Sequence, residues 1–173
     1  NMNHKTVEPY SKARVSLRLY APWDSLSGDQ CIFTIKMTHR ADKVTVSFNV
    51  TILQIYGVSI TPDHTESIAR PHLPIIYNFE VMNRGNGQDN VSLKLSGKKA
   101  GWNITYEPRY LVLAAGTSAI ARVTIFTHDL APPKDEFVFS MIATSASGKK
   151  AETAHCTVTV EEYDEMAVHL LAV

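Results

Sequence analysis

The stretch ARVSL at residues 13–17 returns as ARVTI at 121–125, an offset of 108. A single echo of this kind can arise by chance, so the flanks decide. CIFTIKMTHRADK (31–43) aligns with FVFSMIATSASGK (137–149), bringing Thr38 onto Thr144 at an offset of 106. VTILQIYGVSI (50–60) then aligns with VTVEEYDEMAV (158–168), again at 108. The two-residue differences fall in turns, where a β unit absorbs length changes that strands do not tolerate. The chain therefore reads as an internal repeat of about 108 residues.

Within the second copy the apolar residues alternate. PIIYNFEVMN (74–83) sets Ile75, Tyr77, Phe79 and Val81 against Ile76, Asn78, Glu80 and Met82. NVSLKLSG, GWNITYEP, YLVLAAG, SAIARVTIFT, EFVFSMIAT and AETAHCTVTV continue the pattern, with Gly-, Pro- and Asn-rich turns between them. Short alternating runs with turns at intervals near ten residues predict an all-β fold, an immunoglobulin-like antiparallel β-sandwich of seven or eight strands over 54–163. Phe79, Val81, Leu93, Trp102, Val123, Phe139 and Val158 fall on its buried face, and no amphipathic helix is expected. Residues 1–53 match only the last three strands of such a repeat, with 13–53 supplying them. Residues 164–173, with MAVHLLAV at 166–173, match its first strand. The chain reads as a window on a tandem array: part of one repeat, all of a second, and the opening strand of a third. An incomplete sheet over 13–53 exposes an edge and an apolar face. Its expected partners are neighbouring repeats or a second copy of the chain.

Composition removes several function classes. Lys+Arg and Asp+Glu are both 17, a net charge of zero, which offers no electrostatic footprint for nucleic acid. No apolar run approaches the length needed to span a bilayer, so direct membrane insertion of this stretch is not expected. There is no G-x-S-x-G, H-E-x-x-H or C-x-x-C, and the reading carries no catalytic residue, no cofactor and no metal site. SGKK occurs at 96–99 and 147–150 but lacks the spacing of a phosphate loop, so both copies read as Gly-containing hairpin turns with solvated lysines. The seven histidines show no ligand spacing. Cys31 and Cys156 lie on apolar patterns in different repeats and read as small, unpaired, buried hydrophobes. NRGNGQDN (83–90) reads as a tight connection with Gly85 and Gly87 at positive φ and Asp89 accepting backbone N–H bonds, ahead of a Ca²⁺ loop. Glu161, Glu162, Asp164 and Glu165 read as a solvated linker between repeats, ahead of a junctional Ca²⁺ site. Trp102 alternates with Ile104 and Tyr106 and belongs to the core, whereas Trp23 stands in a loop as the exposed aromatic. Three N-x-[ST] sequons, at Asn49, Asn90 and Asn103, are a mild excess that points to a secreted context and to N-glycosylation there.

YNFEVMNRGNGQDNVSLKLSG, GWNITYEP, YLVLAAGTSAIARVTI and FVFSMIAT together resemble the immunoglobulin-like module found beside carbohydrate-binding modules in bacterial α-galactosidases and in archaeal and bacterial cell-surface proteins. The resemblance rests on Phe79, Val81, Asn83, Gly85, Asn86, Asp89, Val91, Leu93, Gly101, Trp102, Leu113, Gly116, Thr117 and Val123. It covers about 62–160, with its tail repeated in 11–53, and departs from the family at the PPKD turn. It implies a non-enzymatic extracellular stalk, coat or adhesion spacer of a cell-surface protein, touching a surface glycan or protein. The alternative is an accessory glycan-binding module of a glycoside hydrolase, which a row of exposed aromatics on one sheet would favour.

Overall fold

The computed structural model describes residues 7–70, 73–128 and 131–162. Among these there is no helix, and eleven strands form: β1 (Gln30–His39), β2 (Asp42–Thr51), β3 (Val58–Pro62), β4 (Glu66–Ala69), β5 (Ile75–Asn83), β6 (Asp89–Ser96), β7 (Asn103–Glu107), β8 (Tyr110–Leu113), β9 (Ser118–Phe126), β10 (Glu136–Thr144) and β11 (Ala151–Val160). Strands β3 to β11 make an immunoglobulin-like sandwich of a five-stranded sheet, β4-β11-β10-β6-β8, on a four-stranded sheet, β3-β5-β9-β7. The separate pair β1–β2 is a two-stranded antiparallel hairpin.

Alternation builds the core. On β5, Ile75, Tyr77, Phe79 and Val81 are buried, and on β10 Phe137, Phe139, Met141 and Ala143 face them. The two sheets meet through aromatic rings: Tyr77 lies edge-on to Phe139 at 5.1 Å, and Trp102 packs on Phe137 at 5.5 Å. Edge-to-face contacts of this kind favour one relative placement of the sheets beyond what burial alone supplies. The Tyr77 hydroxyl enters the core satisfied, donating to the Thr157 carbonyl at 2.7 Å. All seven residues expected on the buried face are buried.

Four expectations about the strands and the first SGKK segment need correction. The sandwich has nine strands, because the four-residue β4 joins β11, and it joins in parallel. Residues 13–17 form no strand. Their counterpart lies in β9, which pairs with both β5 and β7, and among the described residues β1–β2 has no equivalent strands beside it to hold a third. SGKK at 96–99 is not a hairpin turn; it carries the chain from β6 in one sheet to β7 in the other. Lys99 is not a freely solvated lysine, since its Nζ donates to Asp135 and to the Glu136 carbonyl over the Trp102 ring.

Edges are short and interiors long. The four strands at the sheet edges have four or five residues each, whereas β5, β6, β9, β10 and β11 have eight to ten. Short edges limit unintended pairing with other chains. The hairpin breaks this rule, because β1 and β2 are each ten residues long. Direct cross-strand partners share a face, so Cys31, Phe33, Ile35 and Met37 line up with Val50, Phe48, Val46 and Val44. That face is apolar throughout and stays largely open, with Phe48 47% exposed. Cys31 is therefore exposed rather than buried, while Cys156 is buried as expected, and both are free thiols.

Burial, helped by the charge of Asp63, pushes the Cys156 thiol up to about 11. A raised folded-state value means that the neutral thiol contributes stability in full below the ordinary cysteine range. That contribution is lost as pH rises toward the folded value. Urea midpoints between about pH 8 and pH 10.5 should fall with pH for the natural chain and fall less steeply for Cys156→Ala. Equal slopes would show that the thiol does not ionise on unfolding.

Candidate functional site

At the end of β5 the chain turns through Arg84–Gln88 into β6, and everything there depends on Asn83, which is fully buried. Its Nδ2 donates to the carbonyls of Gly87 (2.8 Å), Leu113 (3.0 Å) and Ala114 (3.2 Å). Its Oδ1 accepts from the Gly85 N–H at 2.8 Å. One side chain thus fixes the loop and ties it to the end of β8. Asp89, also buried, accepts from Ser145 Oγ at 2.5 Å and from the Ala146 N–H at 3.0 Å, fastening the β10–β11 turn to the same end. The expected backbone bond to Asp89 is present, and it comes from a distant turn. The side-chain oxygens of Asn83, Asn86 and Asp89 are each engaged by protein donors.

Gly85 and Gly87 do not adopt positive φ, contrary to expectation; the glycines that do are Gly28, Gly97, Gly101, Gly116 and Gly148. Their role is close approach. A Cβ on Gly85 would stand 2.4 Å from the Ile55 carbonyl oxygen, and one on Gly87 would stand 2.8 Å from Ser27 Cβ. Both contacts belong to the segments that enter and leave the hairpin.

Asn86 completes this junction. It accepts from the Ile55 N–H on Oδ1 at 2.7 Å and donates from Nδ2 to the Leu53 carbonyl at 3.1 Å. Its own N–H donates to the Ile55 carbonyl at 3.2 Å, and its carbonyl accepts from the Ser27 N–H at 2.8 Å. Gln54 Nε2 adds a bond to the Gln88 carbonyl at 2.7 Å, and the Arg84 N–H donates to the Gly57 carbonyl at 2.9 Å. The six-residue connector 52–57 is therefore stapled to the loop through backbone and amide groups alone. The arrangement holds two β units together and has no nucleophile or acid–base pair in it. Asn86 in this role escaped the sequence reading; an Asn flanked by Gly85 and Gly87 in a polar turn was the available signal.

The other singled-out residues stand apart from the junction and from one another. Asn49, Asn90 and Asn103 lie on β2, β6 and β7, all exposed. Glu161 forms a two-bond pair with Arg70 at 2.8 and 3.0 Å, and Glu162 pairs with Lys134 at 2.9 Å, while Asp164, Glu165 and 166–173 lie outside the described residues. His64 stacks on Tyr77 at 4.3 Å with Nδ1 2.8 Å from Asp63, and His155 bonds to Ser140. His4, His72 and His169 lie outside the described residues. Burial raises the Asp63 carboxyl, but hydrogen bonds from the side chain and backbone of Asn78, with His64 alongside, outweigh it and hold Asp63 below its ordinary value. Trp102 is buried and Trp23 is 97% exposed, both as expected.

No protein-family model and no curated protein matches the sequence. Solved structures share the fold. A family 123 glycoside hydrolase from Clostridium perfringens superposes with a TM-score of 0.50 at 10% identity over 61% of this chain and 28% of its own. Domains 4 and 5 of the S-layer protein SbsC give 0.43 at 12% identity over 76% and 58%, and the Escherichia coli chaperone DraB gives 0.40 at 16% over 60% and 55%. This chain spans under a third of the hydrolase chain. At such identities the likeness is one of fold: all are β-sandwich neighbours, and none identifies the specific module that the sequence resembles.

Gly85→Ala should drive its new methyl into the Ile55 carbonyl and release the connector, and Asn86→Ala should remove two side-chain bonds with a local cost of about 1–3 kcal/mol. Chymotryptic cleavage at Leu53 and Tyr56 should rise about tenfold in both variants, with the main thermal transition of the sandwich shifted by only a few degrees. Unchanged cleavage would mean that the junction is not held by these groups.

Proposed function

We propose that this chain is a non-enzymatic, extracellular immunoglobulin-like repeat, a stalk, coat or adhesion spacer of an anchored cell-surface protein. The observation that carries the reading is the stapled junction, in which Asn86 and Gly85 fix one β unit against the next. A spacer transmits length and orientation only when its units do not swivel freely, since inter-domain motion is the default for small polar interfaces. The sequence resemblance to surface-protein modules supports the same reading. The exposed placement of all three sequons fits a glycosylated extracellular surface.

The glycan-binding alternative asks for aromatics in a row on one sheet. Among the described residues, the exposed Tyr110 and Phe126 lie on different sheets, and Trp23 stands in a loop. Tyr10 and Tyr20 also lie outside strands, and the exposed Phe48 sits on the apolar face of β1–β2. Neither sheet of the sandwich presents a row of exposed aromatics among the described residues, so the spacer reading is preferred.

Replacing residues 54–162 within the parent polypeptide by an unrelated sandwich of equal length should preserve surface display and adhesion, whereas deleting them should lose both. Saturable oligosaccharide binding in calorimetry, weakened by Tyr110→Ala, would favour the glycan-binding module instead. Peptide mass spectrometry of host-purified protein should find glycan on Asn90, Asn103 or both. Three unmodified sequons would remove that support for an extracellular location.

A further inference from the structure

The hairpin and the last two strands of the sandwich share more than sequence. Gln30 pairs with Thr51 as Glu136 pairs with Thr159, and Thr38 pairs with Lys43 as Thr144 pairs with Ala151. With 106 added along β1 and 108 along β2, the two registers coincide. The closing bonds coincide as well. Ile52 N–H donates to Asp29 O at 2.9 Å, and Gly28 N–H donates to Ile52 O at 2.9 Å. Their counterparts are Val160 N–H to Asp135 O at 2.9 Å and Lys134 N–H to Val160 O at 3.0 Å. Gly28 and Lys134 both take positive φ, 91° and 61°, and each precedes the aspartate that closes the turn. The cross-strand pair Thr34–Ser47 is bonded at 3.2 Å where Ser140–His155 is bonded at 2.8 Å.

The two faces differ in what covers them. Phe139, Met141, Ala154 and Cys156 are buried, and Phe139 meets Tyr77 and Phe79 of the opposing sheet edge-on. Their counterparts Phe33, Ile35, Val46 and Phe48 have no such sheet over them, and an open groove of about 440 Å³ lies at the Cys31 end of the face. The edges differ too. β10 is flanked by β6 and β11 by β4, whereas among the described residues the outer edges of β1 and β2 are open for ten residues. An isolated hairpin of this kind is at best marginally stable in water.

We propose that the apolar face of β1–β2 is the inner face of a second sandwich, and that the same polypeptide N-terminal to residue 13 covers it, with 13–17 as its last strand. This deepens the tandem-spacer reading and rests on it. Connectivity selects the occupant. Every strand that covers or flanks β10–β11 comes from sequence preceding β10. A second copy packed face to face would cover the same apolar side chains but leave all four long edges unpaired. The covering sheet should carry alternating aromatic and β-branched residues like those of β5.

Cys31 lies on the face and reports its cover, with buried Cys156 as an internal reference. In the 173-residue chain a maleimide should label Cys31 promptly and Cys156 only on unfolding. In the polypeptide extended upstream by one repeat length of its own gene, Cys31 labelling should slow by about a hundredfold or more. Phe48→Asp should restore labelling there while leaving the main unfolding transition of the 173-residue chain unmoved. Prompt labelling in the extended polypeptide, or the lack of any upstream coding sequence, overturns the proposal. Concentration-dependent protection in the 173-residue chain together with a dimer mass also overturns it, by making a second copy the cover. A covered Cys31 in a protein that fails the domain-replacement test would sink the spacer reading and leave the second sandwich standing.

Discussion

The buried carboxamide of Asn83 is the constraint on which this end of the molecule depends. A primary amide offers two N–H donors, and here they are shared among three backbone carbonyls while the oxygen holds the Gly85 N–H. Those carbonyls belong to two separate chain segments that converge on β5. The bond to the Leu113 carbonyl lies in the buried interior, where losing a donor is costly. The Asn83 backbone also donates to Thr117 O and accepts from Gly116 N, so a single residue links β5, the loop and the β8–β9 turn. A loop fixed this way can act as a socket. Asn86, three residues on, can then spend its polar groups on the connector instead of on its own loop.

Physical causes separate what was legible in the sequence from what was not. The sandwich was legible because one face of each strand is buried and a period of two leaves no ambiguity about which residues face inward; Tyr77, Phe79 and Val81 follow directly. β4 was hidden because Glu66–Ala69 is four residues long, carries only one large apolar side chain, and is held by parallel pairing to a strand distant in sequence. The glycines of NRGNGQDN were misread because a glycine is silent about whether it is needed for backbone freedom or for space. Gly85 and Gly87 serve space, and that depends on Ile55 and Ser27, which lie 30 and 60 positions earlier. The same non-local dependence separates Cys31 from Cys156. The strand pattern was right for both, but burial requires an opposing sheet, and only one of the two faces has it.

The two acidic residues that follow β11 make different contacts from the residues that follow β2. Glu161 and Glu162 occupy the positions that Leu53 and Gln54 hold after β2, if the offset of 108 is applied. Gln54 reaches forward to the Gln88 carbonyl of the following unit, whereas Glu161 and Glu162 turn back onto Arg70 and Lys134 of their own sandwich. Exposed ion pairs of this sort contribute little stability. Their effect is to hold the end of β11 along its own sandwich.

Stiffness in such a chain comes from backbone proximity more than from interface area. The connector 52–57 approaches the loop where Gly57 faces Arg84 and Gly85 faces Ile55, each at a separation that a side chain would open. Hydrogen bonds form directly across that gap because no side chain stands between the segments that make them. A swivel about the connector would have to break the Asn86, Gln54 and Arg84 bonds together, since all of them anchor to one rigid loop. Cooperative loss of several modest bonds is a steeper barrier than the loss of any one of them. A small polar junction can therefore hold two β units in a fixed relation without the large apolar interface that rigid domain pairs usually require.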